Sequence, residues 1–557
     1  MKHNGKNKKI LIIGGVAAGA TAAARARRLD ESAEITIVEK GRYVSFANCG
    51  LPYFISRDIN KRSALILQTP EGFFARYRVK VLLQTEALSL DRVAQTVNIR
   101  NSDGDSTLPY DSLILAQGGA PIFPSIVGLD SPNVFRLWTI PDMDAVHKFI
   151  DTEKPASAVV VGGGFIGLEA AEAFVKRGLS TSIIEITETL MPPADPEFGS
   201  MIRRSYEAAG VKVFTGRSVV SVDTSAGTIL LDDGTIVSAG IVLVSAGVRP
   251  NIELAKSAGL AIGSTGGLSV DDGLRTIDPH IWAAGDMIEI PHIVGGRLLR
   301  VPLAGPANRQ GRIAATNALG GSMKYKGALG SSVIKSLDST FAMTGLTEKS
   351  ARAAGFEVGS SIVAKSHHVT YYPGYEDLFL KIIFSRPDGR LLGGQAYGRE
   401  GADKRIDVLA AALSGGLSVD DLAELDLAYA PPYNSANDPI NMAAFVAQND
   451  LSGYSPTRSA REAADLLLKG TALLVDVRTY GEYSKGFIEG SLHLPADEIR
   501  DRIDEIPKDR DILLLSKAGF ESHIVLRNLR QSGFNRIWNI SGGMTALSLE
   551  PGLSFVK

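Results

Sequence analysis

The short apolar run Lys9–Ile13 stops at Gly14-Gly15-Val16-Ala17-Ala18-Gly19, continues as an Ala/Arg-rich helical pattern to about Leu29, and resumes as a second strand, Ile35–Glu39, that ends in an acid. The same order returns at Ser157–Val161, Gly162-Gly163-Gly164-Phe165-Ile166-Gly167, a helical pattern to about Arg177, and Ser182–Glu185. From Gly14 to Glu39 is 25 positions and from Gly162 to Glu185 is 23, so the chain carries two copies of one strand–glycine turn–helix–strand unit. Between the copies, Val79–Arg100 alternates with turn residues, as a β-meander does. Tyr110–Gly119 predicts a strand entering a glycine turn, Ile241–Gly247 repeats it after the second copy, and Thr276–Asp286 ends in Gly-Asp. Residues 321–447 read as mixed strands and helices without a nucleotide turn. The polar stretch 448–460 predicts a linker, and 461–557 a small separate α/β domain.

The chain has 557 residues, of which 45% are hydrophobic and 22% charged, enough apolar material for several cores and incompatible with disorder as the main state. Lys+Arg is 59 and Asp+Glu 61, and a net charge of −2 gives no global pull on nucleic acid or an anionic membrane. Cys49 is the one cysteine, which excludes an internal disulfide, a CxxC pair and a thiolate zinc site, and no metal is expected. No apolar run reaches the 18 or so residues of a spanning helix. Lys2, Lys6, Lys8 and Lys9 ahead of Leu11–Ala24, with Ala24-Arg25-Ala26 behind, imitate an export signal, but the same residues make better sense as a nucleotide-binding strand and turn. A cytoplasmic protein is expected.

A glycine turn after a strand lets backbone approach a pyrophosphate, whose charge the following helix N-terminus stabilises, while an acid closing the next strand accepts from ribose hydroxyls. Gly162, Gly164 and Gly167 fit that pattern fully; in the first copy Val16 stands where the middle glycine belongs. Two Rossmann units, each with its acid (Glu39, Glu185), imply two dinucleotides, FAD plus NAD(P)H. The first unit is the FAD candidate because Gly285-Asp286 offers a second contact to the same cofactor. Glu185 is followed by Ile186-Thr187-Glu188 without a base, which would repel a 2′-phosphate, so NADH is favoured and NADPH left open. Cys49 lies in Ser45-Phe46-Ala47-Asn48-Cys49-Gly50-Leu51-Pro52-Tyr53, and Pro52 suits a first helical turn, so the thiol is expected at a helix N-terminus with a lowered pKa.

These motifs, with Val301–Gly311 (VPLAGPANRQG), Tyr371–Gly374 (YYPG) and Ala428–Tyr433 (AYAPPY), resemble the single-cysteine branch of the flavoprotein pyridine nucleotide–disulfide oxidoreductases, and within it the coenzyme A-disulfide and persulfide reductases. The resemblance covers residues 1–447. It implies Cys49 as the redox sulfur beside the flavin, with Tyr371 and Tyr429 reaching the active site of a second subunit. It assigns FAD to Gly14, Gly15, Ala17, Ala18, Gly19, Glu39 and Lys40, with Asp286 on the ribityl chain and Pro302, Leu303 and Ala304 beside it. It assigns NAD(P)H to Gly162, Gly164, Phe165, Ile166, Gly167, Glu169 and Glu185, Phe165 covering the nicotinamide pocket and Glu169 helping to order it. Coenzyme A is the small thiol it implies, with Arg28, Ser45 and Asn48 as substrate-binding candidates and other basic residues (Arg25, Arg62, Arg76, Arg78, Lys80) nearby in sequence. Peroxidases and oxidases of this branch often carry a histidine in the first glycine turn; Val16, Ala17 and Ala18 stand there and argue against peroxide chemistry.

Leu473–Arg478, Glu482-Tyr483, Gly486–Ser491, His493-Leu494-Pro495 and Ser541-Gly542-Gly543 resemble a rhodanese domain. An active one opens its C-x-x-G-x-R loop with cysteine; here Ser516-Lys517-Ala518-Gly519-Phe520-Glu521 puts serine for the nucleophile and glutamate for the arginine, which implies an inactive sulfurtransferase. The expected α/β architecture is two Rossmann-like nucleotide-binding domains (FAD 1–150 and 271–320, NAD(P)H 151–270), a dimerisation domain (321–447), a linker (448–460) and a rhodanese-like domain (461–557). The expected activity is reduction of CoA disulfide, CoA persulfide or polysulfide by a homodimer through a mixed disulfide of Cys49 with CoA. The alternatives are an NADH oxidase cycling through a cysteine sulfenate, and a redox-sensing flavoprotein whose rhodanese-like domain docks a partner.

Overall fold

The computed structural model describes residues 7–223 and 225–556, so Lys2 and Lys6 of the basic N-terminal stretch lie outside it. The chain divides into two compact units, one running to Leu190 and over Tyr206–Gly330, the other comprising Met191–Ser205 and Ser331 onward.

In the first unit, each sequence copy folds as a parallel sheet. The order is Ile281–Ala283, Ser112–Leu115, Lys9–Ile13, Glu34–Val38, Val79–Leu82 in one sheet and Val134–Phe135, Ile241–Val244, Ser157–Val161, Ser180–Glu185, Lys212–Thr215 in the other. Four strands follow the same order in both sheets, as an internal repeat requires, while the edge strand comes from later in the chain in the first (Ile281–Ala283) and from earlier in the second (Val134–Phe135). Both central strands are buried on both faces, as parallel sheets flanked by helices require. The meander is present as the antiparallel strands Glu86–Asp91, Thr96–Asn101 and Gly104–Pro109.

Around the expected breaks at 150 and 270, pairing and packing cross from one sheet to the other. Val134–Phe135 pairs with Val242 and Leu243 of the second sheet, and Leu129 packs into that core. On the return, Leu254, Ala255 and Leu260 already pack in the core of the first sheet. Composition across these crossings is unbroken, so only pairing reveals them.

The second unit holds a five-stranded antiparallel sheet, Ser332–Ser336, Ser339–Gly345, Leu391–Gly398, Asp377–Ser385, Val358–Ser366, and a five-stranded parallel sheet centred on Asp511–Leu515. The polar stretch 448–460 is not free chain. The helix Pro439–Leu451 takes its start, Thr457–Arg458 pairs with Asn539 and Ile540, and the buried Asp450 accepts from Thr457 N at 2.8 Å. Its polar residues satisfy backbone groups at a join. No helix among the described residues is long and apolar enough to cross a membrane.

Candidate active site

Both glycine turns are built by the same contacts. Gly14 (φ +99°) and Gly162 (φ +110°) turn the chain out of their strands, where a Cβ would come within 2.2 Å of Ala116 O and 2.5 Å of Ser245 O. A Cβ on Gly19 or Gly167 would lie 1.8 or 1.9 Å from the carbonyl of Gly14 or Gly162, so helix and turn close on each other only without side chains. The helices Ala17–Leu29 and Phe165–Lys176 begin after Val16 and Gly164 with no side-chain cap, leaving their first N–H groups for an anion. Nothing lies within 4 Å of a Cβ built on Gly164, the open approach a pyrophosphate needs.

The two acids do more than end strands. Glu39 accepts from Gly15 N (2.8 Å) and Gly41 N (2.7 Å); Glu185, buried, accepts from Gly163 N (2.6 Å) and from Thr187 N and Oγ1 (both 2.8 Å). Each acid holds its own glycine turn, and any ribose would share carboxylates already engaged. Burial raises the Glu39 carboxyl despite the Gly41 and Gly15 bonds. Lys40 points away to Glu86, 2.7 Å off and exposed.

Ala18 meets a second helix, Ala304–Ala318, so closely that a Cβ on Gly311 would sit 2.2 Å from Ala18 O. Pro302, Leu303 and Ala304 form the start of that helix, also without a side-chain cap. Asp286 follows Gly285 (φ +86°), whose N–H donates to Gln310 Oε1 at 2.7 Å. Its carboxyl is pushed up to about 6 by burial alone, with no hydrogen-bond partner among the described residues. Two uncapped helix starts and a carboxylate with unspent acceptor capacity fit a flavin dinucleotide carrying a pyrophosphate and hydroxyls.

Ser45 N donates to Gly15 O at 2.8 Å, which ties the cysteine segment to the first turn, and Ser45 itself takes φ 47°. Asn48 Nδ2 donates to Trp138 O at 3.2 Å. Cys49 lies exposed in a single 3₁₀ turn, Asn48–Gly50, ahead of the short helix Leu51–Ile55 with Pro52 in its first turn. The expected lowered thiol pKa is reversed. Desolvation raises it, and the Glu169 and Asp286 carboxylates raise it further, outweighing one turn of helix. Tyr53, four residues past the sulfur, donates to Glu169 Oε1 at 3.2 Å; the Glu169 carboxyl is pushed up to about 7 by burial, with the Tyr53 bond opposing and Glu172 reinforcing. The sequence reading gave Tyr53 no role, although its i, i+4 spacing from Cys49 across Pro52 is the signal that marks it.

Phe165 and Ile166 open the second turn's helix, half-buried, with Glu169 one turn further on. Arg28 stands exposed in the last turn of Ala17–Leu29. Among its basic neighbours, Arg62 is taken by Asp144 and the Tyr43 hydroxyl, and Arg25 bonds Thr316 Oγ1.

In the second unit, Tyr371 and Tyr429 meet hydroxyl to hydroxyl at 2.9 Å, 73% and 46% exposed. The buried Arg405 donates to His367 O (2.8 Å) and Asn434 Oδ1 (3.1 Å) and pairs with Asp438 at 3.0 Å. The buried Lys381, which the sequence did not single out, is clasped by Asp195 and Glu348, each at 2.8 Å, and by Glu197. Those three acids lie close enough together to suggest a metal site, yet the lysine ammonium stands among them.

In the C-terminal domain, Ser516 Oγ accepts from Gly519 N at 3.0 Å and lies 3.0 Å from Ser522 Oγ, both serines fully buried. Asn539 closes the loop, accepting from Ser522 Oγ at 2.7 Å and donating to Gly519 O at 2.9 Å.

Residues 8–311 match the model described as pyridine nucleotide-disulphide oxidoreductase, 332–438 its dimerisation domain, and 459–550 a rhodanese-like domain. The chain is 34% identical over 442 residues to an NAD(P)H sulfur oxidoreductase (CoA-dependent) of Pyrococcus abyssi, which covers 78% of this chain and 96% of that protein. Reduced Bacillus anthracis CoADR-RHD superposes with a TM-score of 0.94 at 38% identity, covering 98% of this chain and 99% of that one. A NAD-dependent persulfide reductase from A. fulgidus superposes with a TM-score of 0.91 at 34% identity over 96% and 99%.

Proposed function

Because the chain belongs to the pyridine nucleotide-disulphide oxidoreductase family, we propose that it is an NAD(P)H-dependent flavoprotein that reduces CoA disulfide, CoA persulfide or polysulfide through Cys49. The observation that carries this reading is the placement of the lone cysteine. Its segment is hydrogen-bonded to the first glycine turn through Ser45, and the Glu169 and Asp286 carboxylates act on its thiol.

FAD would be held by Gly14–Gly19, Glu39, Asp286 and the start of Ala304–Ala318, and when bound would supply a two-electron relay between nicotinamide and sulfur. The chain's own chemistry is thiol–disulfide exchange. The Cys49 thiolate attacks one sulfur of CoA disulfide, the S–S bond breaks, one CoA leaves as thiolate and is protonated, and Cys49–S–S–CoA remains. Two electrons from NAD(P)H then cleave that mixed disulfide to the Cys49 thiolate and the second CoA thiol. The sum is NAD(P)H, a proton and CoA disulfide giving NAD(P)⁺ and two CoA thiols. Glu169 and Tyr53 set the charge beside the sulfur. In a homodimer, Tyr371 and Tyr429 of the second copy supply the proton, with Ser45, Asn48 and Arg28 in contact with CoA. Glu188, exposed beside Glu185, favours NADH over NADPH. The rhodanese-like domain is inactive in sulfur transfer.

Intact mass of the native protein tests the scheme. One CoA-sized adduct, lost on reduction, is expected, and Cys49→Ser is expected to lose the adduct and at least 100-fold in CoA disulfide turnover. Unchanged turnover in Cys49→Ser overturns the role of the sulfur; NADH-stoichiometric oxygen consumption without an adduct favours the oxidase alternative.

A further inference from the structure

The strand Val358–Ser366 forms one edge of the antiparallel sheet. An edge strand leaves a row of backbone groups unpaired. At its middle, the Ile362 N–H is taken by Ser541 Oγ of the rhodanese-like domain at 2.9 Å, in a contact buried from solvent. On the next residue, the Ser361 hydroxyl donates to Ala443 O at 2.8 Å, so the strand is held from the helix Pro439–Leu451 as well.

Ser541 opens the turn that backs the altered loop. Gly542 (φ +76°) sits where a Cβ would come within 2.8 Å of Ile362 Cγ2. A Cβ on Gly543 (φ +54°) would lie 2.4 Å from Ser516 O and 2.9 Å from Ala518 N. The loop, the turn and the edge strand are therefore one continuous stack with no room for a side chain between layers. A second contact reaches the neighbouring strand, where Lys517 Nζ lies 3.7 Å from Asp377 Oδ2.

Val358–Ser366 and Asp377–Ser385 pair directly, from Ser366 with Asp377 down to Val358 with Ser385. They are the two legs of one hairpin, and its tip, residues 367–376, carries Tyr371. The rhodanese-like domain thus grips both legs of the element that presents Tyr371 to Tyr429. The loop's former anion-binding face is meanwhile spent on itself, since Ser516 Oγ occupies the Gly519 N–H.

We infer that the rhodanese-like domain serves as a brace for that hairpin, with Ser541 a positioning residue for the Tyr371–Tyr429 pair. The catalytic meaning of this inference rests on the function proposed above; the mechanical coupling does not. Loss of the Ser541 hydroxyl leaves the buried Ile362 N–H without an acceptor, and the strand relaxes where it leads into His367 and the tip.

The test is peptide-resolved hydrogen–deuterium exchange on the full-length, flavin-loaded protein, comparing wild type, Ser541→Ala, Ser541→Thr and Lys517→Ala. Ser541→Ala is expected to exchange at least threefold faster over 358–377 with 9–29 unchanged, and Ser541→Thr to restore protection. The kcat for CoA disulfide is expected to fall severalfold in Ser541→Ala with the KM for NADH unmoved. Lys517→Ala, an exposed change that does not threaten folding, is expected to loosen only the Asp377 leg. Unchanged exchange over 358–377 in Ser541→Ala, or a uniform rise across the chain, overturns the brace. A wild type that reduces no disulfide while Ser541→Ala still loosens 358–377 overturns the proposed function and leaves the brace standing.

Discussion

The Tyr53 hydroxyl donates to Glu169 Oε1 at 3.2 Å, joining the helix that follows Cys49 to the helix that opens the second glycine turn. The two glycine-turn units are thereby in contact beside the sulfur, through a carboxyl pushed up to about 7 by burial. As pH rises through that value Glu169 becomes an anion, and the thiol's proton is held more tightly. Glu169→Gln removes the charge. The midpoint of Cys49 alkylation by iodoacetamide is then expected to move to lower pH. A midpoint that stays put or rises shows that Glu169 does not control the thiol.

How much of this was legible in the sequence depends on how far apart the partners lie along the chain. The glycine turns, their helices and Glu39 and Glu185 are local, and the spacing of Gly14–Gly19 and Gly162–Gly167 was sufficient to place them. The sequence could not show that each acid is already bonded to its own turn, because the same residue types serve a ribose or a backbone N–H equally well. Lys381 reads as an ordinary strand lysine; its partners Asp195 and Glu197 lie far upstream, in a segment that packs with the second unit rather than with its sequence neighbours. The thiol's raised pKa was missed for a related reason. A helix start is visible in sequence, while the carboxylates that oppose it come from residues 169 and 286.

Lys381 is the cation shared by Asp195, Glu197 and Glu348, and Arg352 adds a contact to Glu348 at 3.0 Å. Lys381→Met leaves those acids crowded without it, and breaking a buried ion cluster on one side costs about 3–5 kcal/mol. The pH dependence has a definite sign. Burial pushes the Glu348 carboxyl up, but the Lys381 ammonium, helped by bonds from Ser360 and Arg352, more than reverses this and holds it at about 2, below the ordinary 4.5. A folded-state pKa below the unfolded one stabilises above pH 4.5, and that contribution fades as pH falls toward 2. Urea midpoints at pH 7, 5 and 3 are therefore expected to show the wild type well above Lys381→Met at pH 7 and the gap narrowing at pH 3. A gap independent of pH means the lysine acts through packing alone.

Ser516 occupies the position from which an active rhodanese loop would attack, yet its hydroxyl accepts from Gly519 N and lies 3.0 Å from Ser522 Oγ. Restoring sulfur to that position does not restore the site. In Ser516→Cys the new thiol is fully enclosed, and Glu521, exposed at the start of the following helix, presents negative charge where an anionic sulfur donor would approach. Thiocyanate formation from thiosulfate and cyanide is therefore expected to stay at the level of the unmodified protein in Ser516→Cys and to rise only in Ser516→Cys/Glu521→Arg, where nucleophile and cation return together. Turnover in the single variant would mean that the loop opens on its own and that the serine is the whole cause of inactivity. Silence in both variants would mean that the Asn539–Ser522–Gly519 bonds hold the loop closed whatever charge faces it.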